Sequence, residues 1–349
     1  MHRPNPLPGV PLVESPLFDS LFRDGEQEPH LLAVARALNS RGYAVIDFPD
    51  PDFAQRADGI IARLTRQFVA NQEGLKPGLR IQDAWQQDQD VRSLATNARI
   101  LELLTRLYGR GAWPFQTLNF PMGTQQHYHT DAVHFSSVPE RFMCGVWVAL
   151  EDIGPDQGPL EYYPGSHKWP IYTNEHIGRT DVAYRTTTQT AFHPVWEAMV
   201  QETGVRREIF CARKGQALIW TANLLHGGMA QLNPALTRWS QVTHYYFENC
   251  AYYTPMHSDP FRGLIRFREP VNILTGRKVS VGFNGESVAP EFVRAAREGF
   301  LGSQRPENFD GAAYLRANPD VAASGHDPWV HFIDHGRQEG RPFTPKESG

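Results

Sequence analysis

Apolar positions along the chain change period once, and the change divides it. In the first third they recur at helical intervals. Leu31, Leu32, Ala35 and Leu38 share one face of a helix that starts near Pro29 and that Gly42 stops. Tyr43-Ala-Val-Ile-Asp-Phe48 then reads as a strand. A second helix is expected to open at Asp50-Pro51, where a first-turn proline gives up an N–H that has no partner anyway, and to carry Ile60, Ile61, Leu64 and Phe68. A third is expected over roughly Arg92–Tyr108, with Ile100, Leu103, Leu104 and Leu107 on its stripe and Gly109 at its end. After Gly111 the runs become short and β-rich: Phe115–Phe120, Phe142–Leu150, Leu160–Tyr163, Arg207–Ala212, Ala217–Thr221 and Ser240–Phe247. Turn chemistry such as Gly154-Pro-Asp-Gln-Gly158 and Pro164-Gly165 separates them. Helices followed by many short strands predict a mainly β fold, an antiparallel core with flanking helices.

The two ends read differently. Residues 1–27 are rich in proline and are expected to run as an irregular N-terminal arm. The main domain is placed at 28–300, with a helix near Pro290–Arg297. Residues 305–349 look like a small separate C-terminal module. It runs from Asn308-Phe-Asp-Gly-Ala-Ala-Tyr-Leu-Arg-Ala-Asn-Pro-Asp-Val321 to His331-Phe-Ile-Asp-His-Gly-Arg-Gln-Glu-Gly-Arg341 and occurs in one copy, so it is no repeat array.

Composition narrows the class without naming it. A chain of 349 residues has room for one large core, or a core plus an appendage. Its 29 Gly, 27 Pro and 20 Phe suit short strands, tight turns and a barrel-like interior filled by aromatics. A formal charge of −4, with Lys and Arg scattered, argues against nucleic acid and against an anionic membrane as partners. No run approaches transmembrane length, and Met1-His-Arg-Pro-Asn-Pro-Leu-Pro lacks the apolar stretch of a signal peptide. Three widely spaced cysteines form neither a disulfide framework nor a zinc site. Cys144 and Cys211 lie in strand-like runs and are expected to be buried thiols. A reduced, cytoplasmic setting is the default expectation.

The chemistry concentrates in Gln125-Gln-His-Tyr-His-Thr-Asp131, which packs two imidazoles and a carboxylate into five positions. In extended chain residues i and i+2 point the same way, so His129 and Asp131 can bind one metal from one side. Two histidines and a carboxylate on one face of an octahedron leave the opposite face open, the ligand pattern of non-haem iron(II). A third ligand must come from elsewhere. His226, in Trp220-Thr-Ala-Asn-Leu-Leu-His226-Gly-Gly, is the best candidate, at a strand end before a Gly-Gly turn. Arg238 follows twelve residues later, and a returning strand would bring it beside His226. Its planar guanidinium suits the far carboxylate of a dicarboxylate, and Ser240 would share its face. His127 has the same parity as His129 and competes for the metal. His134 is read as a substrate contact, and His244 and the remaining histidines as surface or ordinary core.

These residues, taken with Val146-Trp-Val-Ala-Leu150 and Gly158-Pro-Leu-Glu-Tyr-Tyr-Pro-Gly-Ser-His167, resemble the phytanoyl-CoA dioxygenase family over about residues 28–250. The resemblance implies a double-stranded β-helix, a cupin-like jelly roll. It implies Fe(II) held by His129, Asp131 and His226, with 2-oxoglutarate and O2 as co-substrates. It implies Arg238 on the far carboxylate of 2-oxoglutarate, Ser240 as its helper, Trp147 lining the same pocket, and Thr130 as a further co-substrate contact. Because Asp131 is retained where halogenating relatives carry a small residue, hydroxylation of an unactivated C–H in a small molecule is the expected reaction. Asn119, His134, Tyr162 and Trp220 are taken as substrate residues. The Pro164-Gly-Ser-His167 turn is read as structural. The tail resembles modules appended to bacterial surface-polysaccharide enzymes, which points to a bacterial source and a saccharide-related or secondary-metabolite substrate; its role is read equally as a small helical cap docked on the barrel or as self-association or recruitment. Three rival readings stand beside this one: a cupin-type metalloenzyme that uses His127, His129 and His226 without 2-oxoglutarate, a catalytically silent ligand-binding member of the fold, and an interaction or glycan-associated protein led by its C-terminal unit.

Overall fold

A computed structural model describes residues 5–70, 79–179, 188–294, 305, 308–324, 327–336 and 339–342. After a single helical turn, α1 (Phe18–Leu21), the helical third contains α2 (Pro29–Arg41), α3 (Phe53–Ala70), α4 (Gln89–Ala95) and α5 (Ala98–Tyr108), with strand β1 (Tyr43–Asp47) between α2 and α3. Pro29 opens α2, and Gly42 closes it in the left-handed conformation at φ 86°. The second helix starts at Phe53, two residues after Pro51, because Asp50 and Pro51 form the turn that leads into it. The single helix expected over Arg92–Tyr108 is two. α4 ends at Thr96, and the Asn97 side chain accepts from the Arg99 and Ile100 N–H groups to start α5 afresh, a cap worth about 1 kcal/mol.

The strands follow: β2 (Ile81–Gln82), β3 (Ala112–Phe120), β4 (Ser136–Val138), β5 (Met143–Ala149), β6 (Leu160–Tyr162), β7 (Glu208–Phe210), β8 (Gln216–Thr221), β9 (His226–Gly228), β10 (Ser240–Phe247) and β11 (Ala251–Tyr253), with α6 (His193–Thr203) before β7. A six-stranded sheet has the order β1-β8-β5-β10-β3-β2 and a three-stranded sheet the order β7-β6-β9, every pair antiparallel. This is the jelly-roll, double-stranded β-helix arrangement. Strand β5 shows how the large sheet is used. All seven of its residues are buried, yet Cys144, Val146 and Val148 join one apolar cluster with the helices, while Trp147 and Ala149 join another with the small sheet. Alternation has therefore become a choice between two cores rather than between core and water.

Some expectations are corrected. Gly227 and Gly228 are strand, not turn: they pair with Glu161 and Leu160. Glycine is required at 227 because a Cβ there would lie 2.9 Å from the Gln126 carbonyl and the Tyr128 backbone. Cys144 is buried but Cys211, just past the edge strand β7, is exposed, since its neighbours Phe210 and Ala212 take the inward positions. Residues 290–294 are helical, and the remainder of the helix expected to Arg297 lies outside the described residues. In the tail, helices Gly311–Ala317, Pro319–Ser324 and Pro328–His331 gather Phe309, Tyr314, Val321 and Trp329 into an apolar cluster of their own. Residues 1–4 of the N-terminal arm are not described. Among the described residues no helix is long and apolar enough to cross a membrane.

Candidate metal centre

His129 and His226 face each other across two backbone hydrogen bonds, His129 N to His226 O at 2.8 Å and His226 N to His129 O at 2.9 Å. Each ring is then fixed from behind. His129 Nδ1 lies 3.1 Å from the His127 carbonyl and His226 Nδ1 lies 2.9 Å from the Leu224 carbonyl. A carbonyl can only accept, so Nδ1 carries the proton in both rings and Nε2 keeps its lone pair for a metal. Asp131 opens a short 3-10 turn (Asp131–Val133), which swings its carboxylate between the rings: Oδ1 is 3.9 Å from His129 Nε2 and Oδ2 is 3.9 Å from His226 Nε2. The three ligand atoms lie within 4.8 Å of one another, close enough to share one ion.

Electrostatics prepares the set. Burial, reinforced by the neighbouring His226, lowers His129 to about 3. Burial works to raise the Asp131 carboxyl, but the surrounding imidazoles and the Trp220 N–H outweigh it and hold Asp131 at about 2. A neutral imidazole beside an ionised carboxylate is the protonation state that metal binding needs. Trp220 does more than line the site: its Nε1 donates to Asp131 Oδ2 at 2.8 Å. It can reach because residue 145, its cross-strand neighbour on β5, is glycine. A Cβ at Gly145 would stand 2.1 Å from the indole.

A cavity of about 280 Å³ opens in front of this set. Arg238, Val242 and His244 line it from one face of β10 and its approach, Gln116, Leu118 and Phe120 from β3, and Trp147 from β5. Arg238 is 1% exposed, and burial alone lowers it to about 10. Its Cζ lies 5.4 Å from the Trp147 ring, and its Nε and Nη2 have no hydrogen-bond partner. Ser240 Oγ and Trp147 Nε1 are buried and unpartnered as well. A buried cation among unused donors is costly unless an anion occupies the space before it. The residues thus fit both an iron ion and a dicarboxylate.

A family pattern described as phytanoyl-CoA dioxygenase matches residues 36–239, more than half of the chain. The chain belongs to the phytanoyl-CoA dioxygenase family. It is therefore an enzyme of the Fe(II)- and 2-oxoglutarate-dependent oxygenase type. Among solved structures it is similar to SnoK, a non-heme α-ketoglutarate-dependent carbocyclase from nogalamycin biosynthesis, at 18% identity and a TM-score of 0.50, over 65% of this chain and 87% of that one. It is also similar to SnoN, the epimerase of the same biosynthesis, at 21% identity and a TM-score of 0.47, over 64% and 85%. EctD from S. alaskensis with bound Fe follows at 18% identity and 0.49, over 64% and 78%. At these identities the likeness concerns fold. No curated protein sequence matches the chain.

Not every residue singled out for this family site reaches the cavity. Asn119 lies on the other face of β3 from Leu118 and Phe120, where its Nδ2 donates to Gln241 Oε1 at 3.2 Å. Tyr162 is turned away as well, its ring packed on Tyr43 with centroids 4.3 Å apart. Thr130 is buried between two ligands whose side chains take the opposite direction, and it is not part of the lining. His134 and Trp220 do line the cavity, and Ser240 lies on the β10 face between Arg238 and Val242. His127 is outside it: Nε2 meets Glu197 at 3.0 Å and the ring stacks on His193 at 3.9 Å. The Pro164–His167 turn is structural, with Ser166 Oγ donating to the Tyr163 carbonyl at 2.7 Å and accepting from Leu225 N at 2.8 Å.

His244 was passed over as ordinary core. It lines the cavity with Nε2 3.7 Å from Asp131 Oδ2, and burial lowers it to about 4. The signal was present: His244 in β10 lies six residues on from Arg238 in the strand's approach, with the same parity. Gln116, Gln126 and Gln189, also in the lining, carried no such signal.

Proposed function

We propose that this chain hydroxylates an unactivated C–H bond of a small molecule, with Fe(II) held by His129, Asp131 and His226 and the far carboxylate of 2-oxoglutarate held by Arg238. The observation that carries the reading is Arg238: a fully buried guanidinium with two unpartnered nitrogens, in the wall of the cavity that the metal set faces. Trp147 and Ser240 add donors beside it. Fe(II) bound there, with 2-oxoglutarate and O2, supplies the oxidising power. The protein's own residues do the rest. Backbone carbonyls hold His129 and His226 in one tautomer, Trp220 aims the carboxylate of Asp131, and the apolar wall of Leu118, Phe120 and Val242 keeps water from the co-substrate.

Purified protein is expected to convert 2-oxoglutarate to succinate in the presence of Fe(II) and O2, and Asp131→Ala to abolish both the conversion and metal binding. An Asp131→Ala protein that turns over 2-oxoglutarate at the wild-type rate sinks the reading. The cupin-type alternative needs His127 at the metal, and the contact of His127 with Glu197 weighs against it. For the tail we propose an independent small unit, 305–349, that serves self-association or recruitment. Its separate apolar cluster supports this. Deleting 305–349 should leave succinate formation intact and change the oligomeric state by light scattering; a loss of turnover would instead make the tail part of the catalytic domain.

A further inference from the structure

Six residues separate Arg238 from His244 on one face of the β10 segment, about 20 Å at the rise of extended chain. The cavity changes character along that line. Beside Arg238 the wall is Phe120 and Trp147; beside Val242 it is Leu118; opposite His244 it is Gln116. At this far end two imidazoles are each held by an amide. His244 Nδ1 lies 2.9 Å from Gln116 Oε1, and His134 Nε2 lies 3.0 Å from Gln189 Oε1. Gln189 Oε1 also accepts from Gln126 Nε2 at 2.9 Å, so that oxygen is engaged twice. Both glutamine oxygens are thus engaged, and neither amide NH2 makes a hydrogen bond among the described residues. His244 Nε2, at 3.7 Å from Asp131 Oδ2, is beyond hydrogen-bond range and opens on the cavity.

We propose that Gln116 and Gln189, oriented by His244 and His134, are specificity-determining residues that seat a polyhydroxylated, sugar-like substrate. The proposal rests on the oxygenase reading of the same cavity. An alkyl chain at this end would take two amide NH2 groups and an imidazole nitrogen out of water and return no hydrogen bond. A ring bearing neighbouring hydroxyls accepts from the amides and donates to the imidazole, so each group keeps a partner. A site built to hydrogen-bond substrate hydroxyls discriminates strongly against analogues that lack them. Leu118, Phe120 and Val242 wall the cavity towards Arg238, and at the other end Gln116, Gln189, His134 and His244 share the wall with one ring, Phe135, packed on both imidazoles at 5.9 and 5.0 Å.

The test uses saturation-transfer NMR on the full chain carrying Zn(II) and 2-oxoglutarate, with methyl β-D-glucoside, myo-inositol and octanoate as probes. Transfer to at least one polyol and none to octanoate is expected. In Gln116→Leu and Gln189→Leu polyol binding should weaken at least tenfold, while melting temperature and 2-oxoglutarate affinity stay at wild-type values, which a merely structural role would not allow. Preference for octanoate, no binding of either polyol, or polyol binding unchanged in both variants overturns the proposal. A wild-type protein that fails to bind 2-oxoglutarate overturns the oxygenase reading beneath it, so the two failures are told apart.

Discussion

The two ends of the cavity are built on different principles. At the Arg238 end the side chains are sealed in and left wanting: a buried guanidinium, an indole N–H and a hydroxyl, all without partners. At the His244 end the polar groups have been paired within the protein, imidazole to glutamine, with only their outer atoms spare. The first end is incomplete without a ligand, and the second can wait in water. On the proposed function, the orphaned donors would mark where an obligatory co-substrate binds, and the self-satisfied pairs where a variable substrate is chosen.

The strongest way to break that contrast is Arg238→Met. Loss of a buried charge-paired contact is worth about 2–5 kcal/mol, so 2-oxoglutarate affinity should fall roughly thirtyfold or more. Metal affinity should hold, and the ligand-free protein should melt at a higher temperature, because an unpaired buried cation has been replaced by an apolar side chain. Calorimetric titration and thermal scans read both; a lower melting temperature would mean that Arg238 has a partner inside the apo protein. Trp220→Phe should sharpen the contrast from the metal side, lowering metal affinity by about 10- to 100-fold through the freed carboxylate while 2-oxoglutarate affinity changes little. If metal binding is unaffected, the indole is only filler.

The smallest effect concerns a histidine at neither end. Burial holds His167 at about 4 in the folded chain, against an ordinary value near 6.5. Between those values the unfolded chain takes up a proton that the folded chain refuses. Stability should thus fall as pH drops from 6.5 towards 4, by up to about 1.4 kcal/mol per pH unit, and His167→Gln should flatten that slope. Denaturant midpoints at pH 7, 6 and 5 measure it, and an unchanged slope in the variant would place the acid sensitivity in the cavity instead.

Much of this was legible in the sequence wherever a local pattern carried it. The strand Ser240–Phe247 coincides with β10, and Gly42 and Gly109 stop their helices as expected, both at positive φ. Other features needed more than pattern. The break at Thr96 and Asn97 was hidden because apolar spacing continues across it, and only the asparagine cap announces it. Asn119 was misplaced because β3 is buried on both faces, so polarity gives no clue to direction. Gln189 opens a short 3-10 turn 55 residues along the chain from His134 and meets it only through tertiary folding. Arg238, by contrast, was reached from His226 by spacing together with the chemistry of a guanidinium and the family resemblance, and both residues line one cavity.

Gly145 is not in the cavity lining, yet it makes room for the indole whose N–H reaches Asp131. The direction in which the Asp131 carboxylate points thereby depends on a strand position that has no side chain. One added methyl group would act as a wedge, turning the indole and re-aiming the carboxylate with every ligand still in place.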